Sequence, residues 1–107
     1  MENAEVIAIL EEIAGLLETG RAESFALLVR NALSGSAQTL EEFLRSNELW
    51  GGAGSIADQP FAGRSTQRKE LEKLLIQLGR LQLRDGTANV RTRAWVEAFE
   101  KWRHLSM

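Results

Sequence analysis

Every apolar run in this chain repeats with the period of an α-helix, and none alternates in the way a half-buried strand must. From Ala4 to about Glu18, the residues Val6, Ile7, Leu10, Ile13, Ala14 and Leu17 fall at the i, i+3, i+4, i+7 spacing of one helix face. Ile9 and Leu16 widen that stripe, which predicts burial on more than one side. Thr19-Gly20 is a stop signal, because glycine is favoured just past the last helical turn.

The same reasoning places the other helices. Ser24 is the expected cap of a second helix, whose face is Phe25, Leu28, Val29, Ala32 and Leu33 and whose end is Ser34-Gly35-Ser36. Thr39-Leu40-Glu41-Glu42 reads as a capping box opening a third helix. That helix should bury Leu40, Phe43 and Leu44, pair Glu41 with Arg45, and run out near Asn47–Trp50. Ser65 or Thr66 caps a long fourth helix with a core face of Leu71, Leu74, Leu75, Leu78 and Leu81. Lys69, Glu72, Lys73 and Arg80 are expected in solvent. Asp85-Gly86 is a turn. A fifth helix runs from about Asn89 to His104, with Trp95, Ala98, Phe99 and Trp102 inward. The expected architecture is all-α: one domain over residues 1–107, a compact bundle of four to five helices, with a long glycine-rich loop between helices 3 and 4.

Composition narrows the function classes. At 107 residues, 44% hydrophobic and 26% charged, the chain can bury one core. It lacks the roughly 18–20 consecutive apolar residues of a membrane span, so no membrane partner is expected. The acidic start Met1-Glu2-Asn3-Ala4-Glu5 is unlike a secretory signal, which makes the cytoplasm the expected compartment. There is no cysteine and a single histidine, His104. Thiolate metal sites, disulfides and thiol nucleophiles are therefore excluded, and no cofactor or metal is expected. Charge is divided: residues 1–54 carry nine acids and three arginines, a net of −6, whereas residues 55–107 carry ten bases and six acids, a net of +4. Halves of opposite sign can attract one another within a bundle or present separate faces to partners. The net −2 argues against nucleic acid.

Residues 50–64 hold four of the nine glycines and the only proline, and they fit no regular pattern. Within them, Trp50, Gly51, Gly52, Gly54, Ser55 and Asp58 are the candidate binding residues. Glycine amides can form an anion nest, although the Lys-Ser/Thr ending of a phosphate loop is missing. Arg80 and Arg84 share a helix face and could complete such a site. The structural alternative has Trp50 in the core, glycines permitting a bend and Ser55 or Asp58 capping backbone amides. No nucleophile–base pair stands out, so no catalytic residue is assigned and the chain reads as a non-enzyme.

The string Leu49-Trp50-Gly51-Gly52-Ala53-Gly54-Ser55-Ile56-Ala57-Asp58 resembles an uncharacterised family of small bacterial helical proteins with a Gly-Gly-x-Gly-Ser-x-x-Asp loop. Ala57 departs from the polar residue expected there. The resemblance covers about ten residues and implies a bacterial cytosolic protein. In size, acidity and lack of cysteine the chain is also similar in type to immunity proteins that neutralise bacterial toxins. The expected function is a non-catalytic protein-binding module, an immunity-type or regulatory partner of another protein, with a homodimer as a second form of pairing. The alternative is a small anionic-ligand binder, or an enzyme built on Asp58, Ser55 and an arginine, using loop 51–58 and nearby arginines.

Overall fold

In the computed structural model, which describes residues 4–19, 22–51, 55–56 and 65–105 (the side chains of residues 65, 67 and 102–105 excepted), every patterned segment is helical. The elements are α1 (Ala4–Thr19), α2 (Glu23–Ser34), α3 (Ala37–Leu44), the single turn α4 (Asn47–Trp50), α5 (Ser65–Asp85) and α6 (Thr92–Leu105). No strand occurs among the described residues.

α1 packs against both α2 and α5, and α6 packs against α5. Val6, Leu10, Ile13, Ala14 and Leu17 of α1 are all buried, and Ile9 and Leu16 pack partly against the same core. From α5, Leu71, Leu74, Leu75 and Leu78 are buried, and from α6, Val96 and Phe99. Each large apolar side chain so buried is worth about 1.5–3 kcal/mol relative to exposure. The radius of gyration is 12.8 Å, close to the ~13 Å expected of a compact chain of this length.

Helix starts differ from the sequence reading in two places. Ser24 does not cap α2; Ala22 holds the N-cap position and makes no side-chain bond there. The apolar residue is favoured because Ala22 is buried under the α1–α2 turn, where its amide donates to the Leu17 carbonyl (2.8 Å). Thr39 does not open α3 either. Ser36 does, accepting the Thr39 amide at 3.1 Å, so Thr39 sits inside the first turn. The cap of α3 therefore lies three residues before the box that the Thr-x-x-Glu spacing suggested.

α3 also stops earlier than expected. The chain breaks at Arg45-Ser46, with the Ser46 hydroxyl donating to the Phe43 carbonyl (2.7 Å), before α4 adds its single turn. Glu72, expected in solvent, is buried. It pairs with Arg68 one turn earlier (2.9 Å), and the Arg68 guanidinium lies 5.6 Å from the centre of the Phe99 ring. This carboxylate loses most of its water with its counter-ion beside it. Glu41–Arg45 forms as expected, at 3.0 Å.

Close approach explains Gly79. A Cβ there would run into Val96 and meet Trp50 at 3.3 Å, so glycine sets how near α5 lies to α6 and to the α4 tryptophan. Gly79→Ala should lower stability by about 1–3 kcal/mol, the usual cost of overpacking. In a double-mutant cycle with Val96→Ala, read by urea unfolding, the combined loss should be smaller than the sum of the single losses.

α1 and α2 are joined on the surface by Arg30, whose Nε and Nη2 donate to Glu18 at 3.2 and 3.0 Å. These bonds hold the Glu18 carboxyl below its ordinary range, against a smaller opposing effect of desolvation. A lowered folded-state pKa adds stability that is complete above the unfolded value, about 4.3, and lost as pH falls through the folded value. Arg30→Gln should therefore lower Tm slightly at neutral pH, and the gap to the parent should close in acid.

Candidate functional site

The described ends of the glycine loop are held from inside. Trp50 is fully buried and its indole N–H donates to Gln82 Oε1 at 2.7 Å. Gln82, itself fully buried, spends its own N–H groups on the Leu44 carbonyl (2.8 Å) and the Thr87 carbonyl (3.0 Å). One amide thus joins the end of α3, the turn α4 and the α5–α6 connection. The Gly51 carbonyl accepts from the Trp95 indole (2.8 Å) and from the buried Ser55 hydroxyl (3.3 Å). At Gly51 a Cβ would overlap the Asn47 carbonyl, so glycine is required for the chain to leave α4 along this path.

The structural alternative of the sequence reading describes Trp50 and Gly51 as they stand, in core packing and a close bend; Ser55 differs, because its hydroxyl donates to the Gly51 carbonyl instead of accepting a backbone amide. Gly52, Gly54 and Asp58 lie outside the described residues. Arg80 and Arg84 line a different surface. Gly79 and Gln82 face Trp50, and at 100° per residue Arg80 and Arg84 project roughly 100° and 140° away from Gly79. The described contacts do not bring Ser55 and the two arginines together.

The arginines instead form one wall of a groove between α1 and α5. Gln77, Arg80, Leu81 and Arg84 face Glu5, Ala8 and Ile9 across a space of about 560 Å³. Ala8, Ile9 and Leu81 make its floor. Arg80 is bonded to Glu100 of α6, and Arg84 to Asp85 at 3.0 Å. That bond, then the charge of Asp85 and, to a smaller extent, that of Glu5, raise the pKa of Arg84 further. A second cleft of about 500 Å³ has Ile7, Leu33, Leu40 and Leu44 within it and Glu41, Arg45 and Asp85 at its rim. There the Arg45 guanidinium donates to the Gly86 carbonyl (3.0 Å) as well as pairing with Glu41.

The roles of two organising residues escaped the sequence reading, in which Asn89 stood only as the start of the fifth helix. Gln82 follows Leu71, Leu75 and Leu78 at helical spacing, and a polar residue within an apolar stripe is the signal of a buried partner. Asn89 caps α6: its Oδ1 accepts the Arg91 and Thr92 amides (2.7 and 3.1 Å), while the Thr92 hydroxyl takes the Asn89 amide (3.0 Å). Its Nδ2 donates to the Arg45 and Ser46 carbonyls, both at 3.2 Å. Asn89-Val90-Arg91-Thr92 has the reciprocal spacing of a capping box, with Thr in place of Glu.

Among the described residues, no group of three or more His, Cys, Asp or Glu side chains could hold a metal ion, and no helix is long and apolar enough to cross a membrane. Comparison of the chain with known protein families, with curated proteins and with solved structures finds no match.

Gln82→Leu should strand the Trp50 N–H and the Leu44 and Thr87 carbonyls without partners. At about 1–3 kcal/mol for each buried group left unsatisfied, the loss should exceed about 2 kcal/mol. Adding Trp50→Phe in that background should cost less than Trp50→Phe in the parent, as measured by denaturant unfolding.

Proposed function

We propose that this chain is a non-catalytic protein-binding domain, of the immunity or regulatory type, working in the bacterial cytoplasm, and that it takes a helix of its partner into the groove between α1 and α5. The observation carrying this reading is the groove itself: an apolar floor of Ala8, Ile9 and Leu81, set between Glu5 on one helix and Arg80 and Arg84 on the other. Two packed helices with an open apolar seam are the usual receptor for a third amphipathic helix. The small, acidic, cysteine-free chain supports the immunity-type and cytoplasmic parts of the proposal. The buried Trp50 and Ser55 side chains support placing the contact surface away from the glycine loop.

Site-specific photo-crosslinking in the native host tests this. A benzophenone side chain at Ala8 or Gln77, both exposed at the groove, should give one discrete adduct with another protein. The same group at Leu27, exposed on α2, should give none. Adducts from Leu27 with none from Ala8 or Gln77 would overturn the assignment.

A further inference from the structure

The groove has walls of opposite charge, and this specifies more than a hydrophobic guest. Along α5, Lys73, Gln77, Arg80 and Arg84 fall on one stripe; all four are exposed, and the last three line the groove. Along α1, Glu5, Ile9 and Glu12 fall on one stripe, and that helix carries acids at Glu5, Glu11, Glu12 and Glu18 with no base at all. Glu5 and Arg84 line the same groove, and the field of Glu5 reaches Arg84, so the start of α1 lies beside the end of α5. The two helices therefore run antiparallel, and each charged stripe continues along its helix away from that end.

We infer that the occupant is a partner helix polarised across its width: apolar along the stripe that enters the groove, acidic on the flank over α5 and basic on the flank over α1. This rests on the groove reading above and names the chemistry of its partner. The Arg80 and Arg84 side chains are 66% and 63% exposed even while bonded to Glu100 and Asp85. A guanidinium has five N–H donors, so each can take a second carboxylate from the open side. A phosphate-rich partner, nucleic acid or anionic lipid, would meet Glu5 on the opposite wall and be repelled there. Successive acids on the partner should match Arg84, Arg80 and Lys73, at offsets of four and then seven residues.

Three synthetic amphipathic peptides with the same leucine stripe provide the test: one with Glu on one flank and Lys on the other, one with Glu on both, and one with Lys on both. Reversing a helix in the groove exchanges its flanks, so the polarised peptide can always find its matching direction. Measured by fluorescence anisotropy at low salt, it should bind the parent about tenfold tighter than either uniform peptide. In Arg80→Glu/Arg84→Glu both walls become acidic, and the Lys peptide should become the tightest. Should that variant melt, Arg80→Gln/Arg84→Gln should still abolish the advantage of the polarised peptide over the Lys peptide.

An unchanged order of affinities in these variants, or tightest binding of the Glu peptide to the parent, would overturn the inference. If the peptides bind with no charge preference and Leu81→Asp abolishes binding, the groove reading survives and the polarity does not. Binding of none, or binding indifferent to Leu81→Asp, overturns both. Sedimentation is the remaining arm: self-association of the parent, abolished by Arg80→Glu/Arg84→Glu, would make the occupant a second copy and overturn the polarised-partner assignment.

Discussion

The hydrogen bond from the Trp50 indole to Gln82 closes the corner where the end of α3, the turn α4 and the α5–α6 connection meet. Trp50 arrives on a single helical turn, which is too short to be stable alone. Gln82 sits in the last turns of the longest helix. Their contact buries two polar groups, and it succeeds because Gln82 spends its remaining donors on the Leu44 and Thr87 carbonyls. A buried polar network satisfied at every member specifies one arrangement, whereas leucine at position 82 would allow several. Gly79, one turn away, supplies the space that the indole needs.

Around that corner, charge follows helix identity. α1 contributes acids alone, and α5 carries five bases against three acids, so the largest electrostatic contrast lies between packed neighbours. Contrast of this kind adds little stability through exposed pairs. It does leave a surface with a direction: the seam between the two helices is apolar along its floor and changes sign from wall to wall.

Most of the helices were legible because their stripes are long. α1 agrees to within a residue at its end, and the leucines of α5 sit where their spacing puts them. Caps were less legible, since Ser, Thr and Asn recur near every helix start and local pattern cannot rank them. Ser24 and Thr39 have the right chemistry, yet the burial of Ala22 and the extended backbone at Ser36 decide otherwise. Glu72 looked solvated because Glu70 and Lys73 beside it are charged; the α6 residue that packs on its partner Arg68, Phe99, is distant in sequence. At the candidate site, Arg80 and Arg84 were visible as a shared face. Their companion across the groove was not, because Glu5 lies some 75 positions away and no local pattern links α1 to α5. The burial of Trp50 was one of two readings, decided by Gln82.

The bonds that close the Trp50 corner span 32, 38 and 44 positions of the chain, whereas only three residues separate α1 from α2. Joining ends 32 residues apart costs about 3 kcal/mol of chain entropy before any contact repays it. The α1–α2 hairpin has no such toll and can assemble on its own clock. Helical content and indole burial thus report different moments in the acquisition of the native state: the first marks local order, and the second marks the instant at which the two halves of the chain commit to one another.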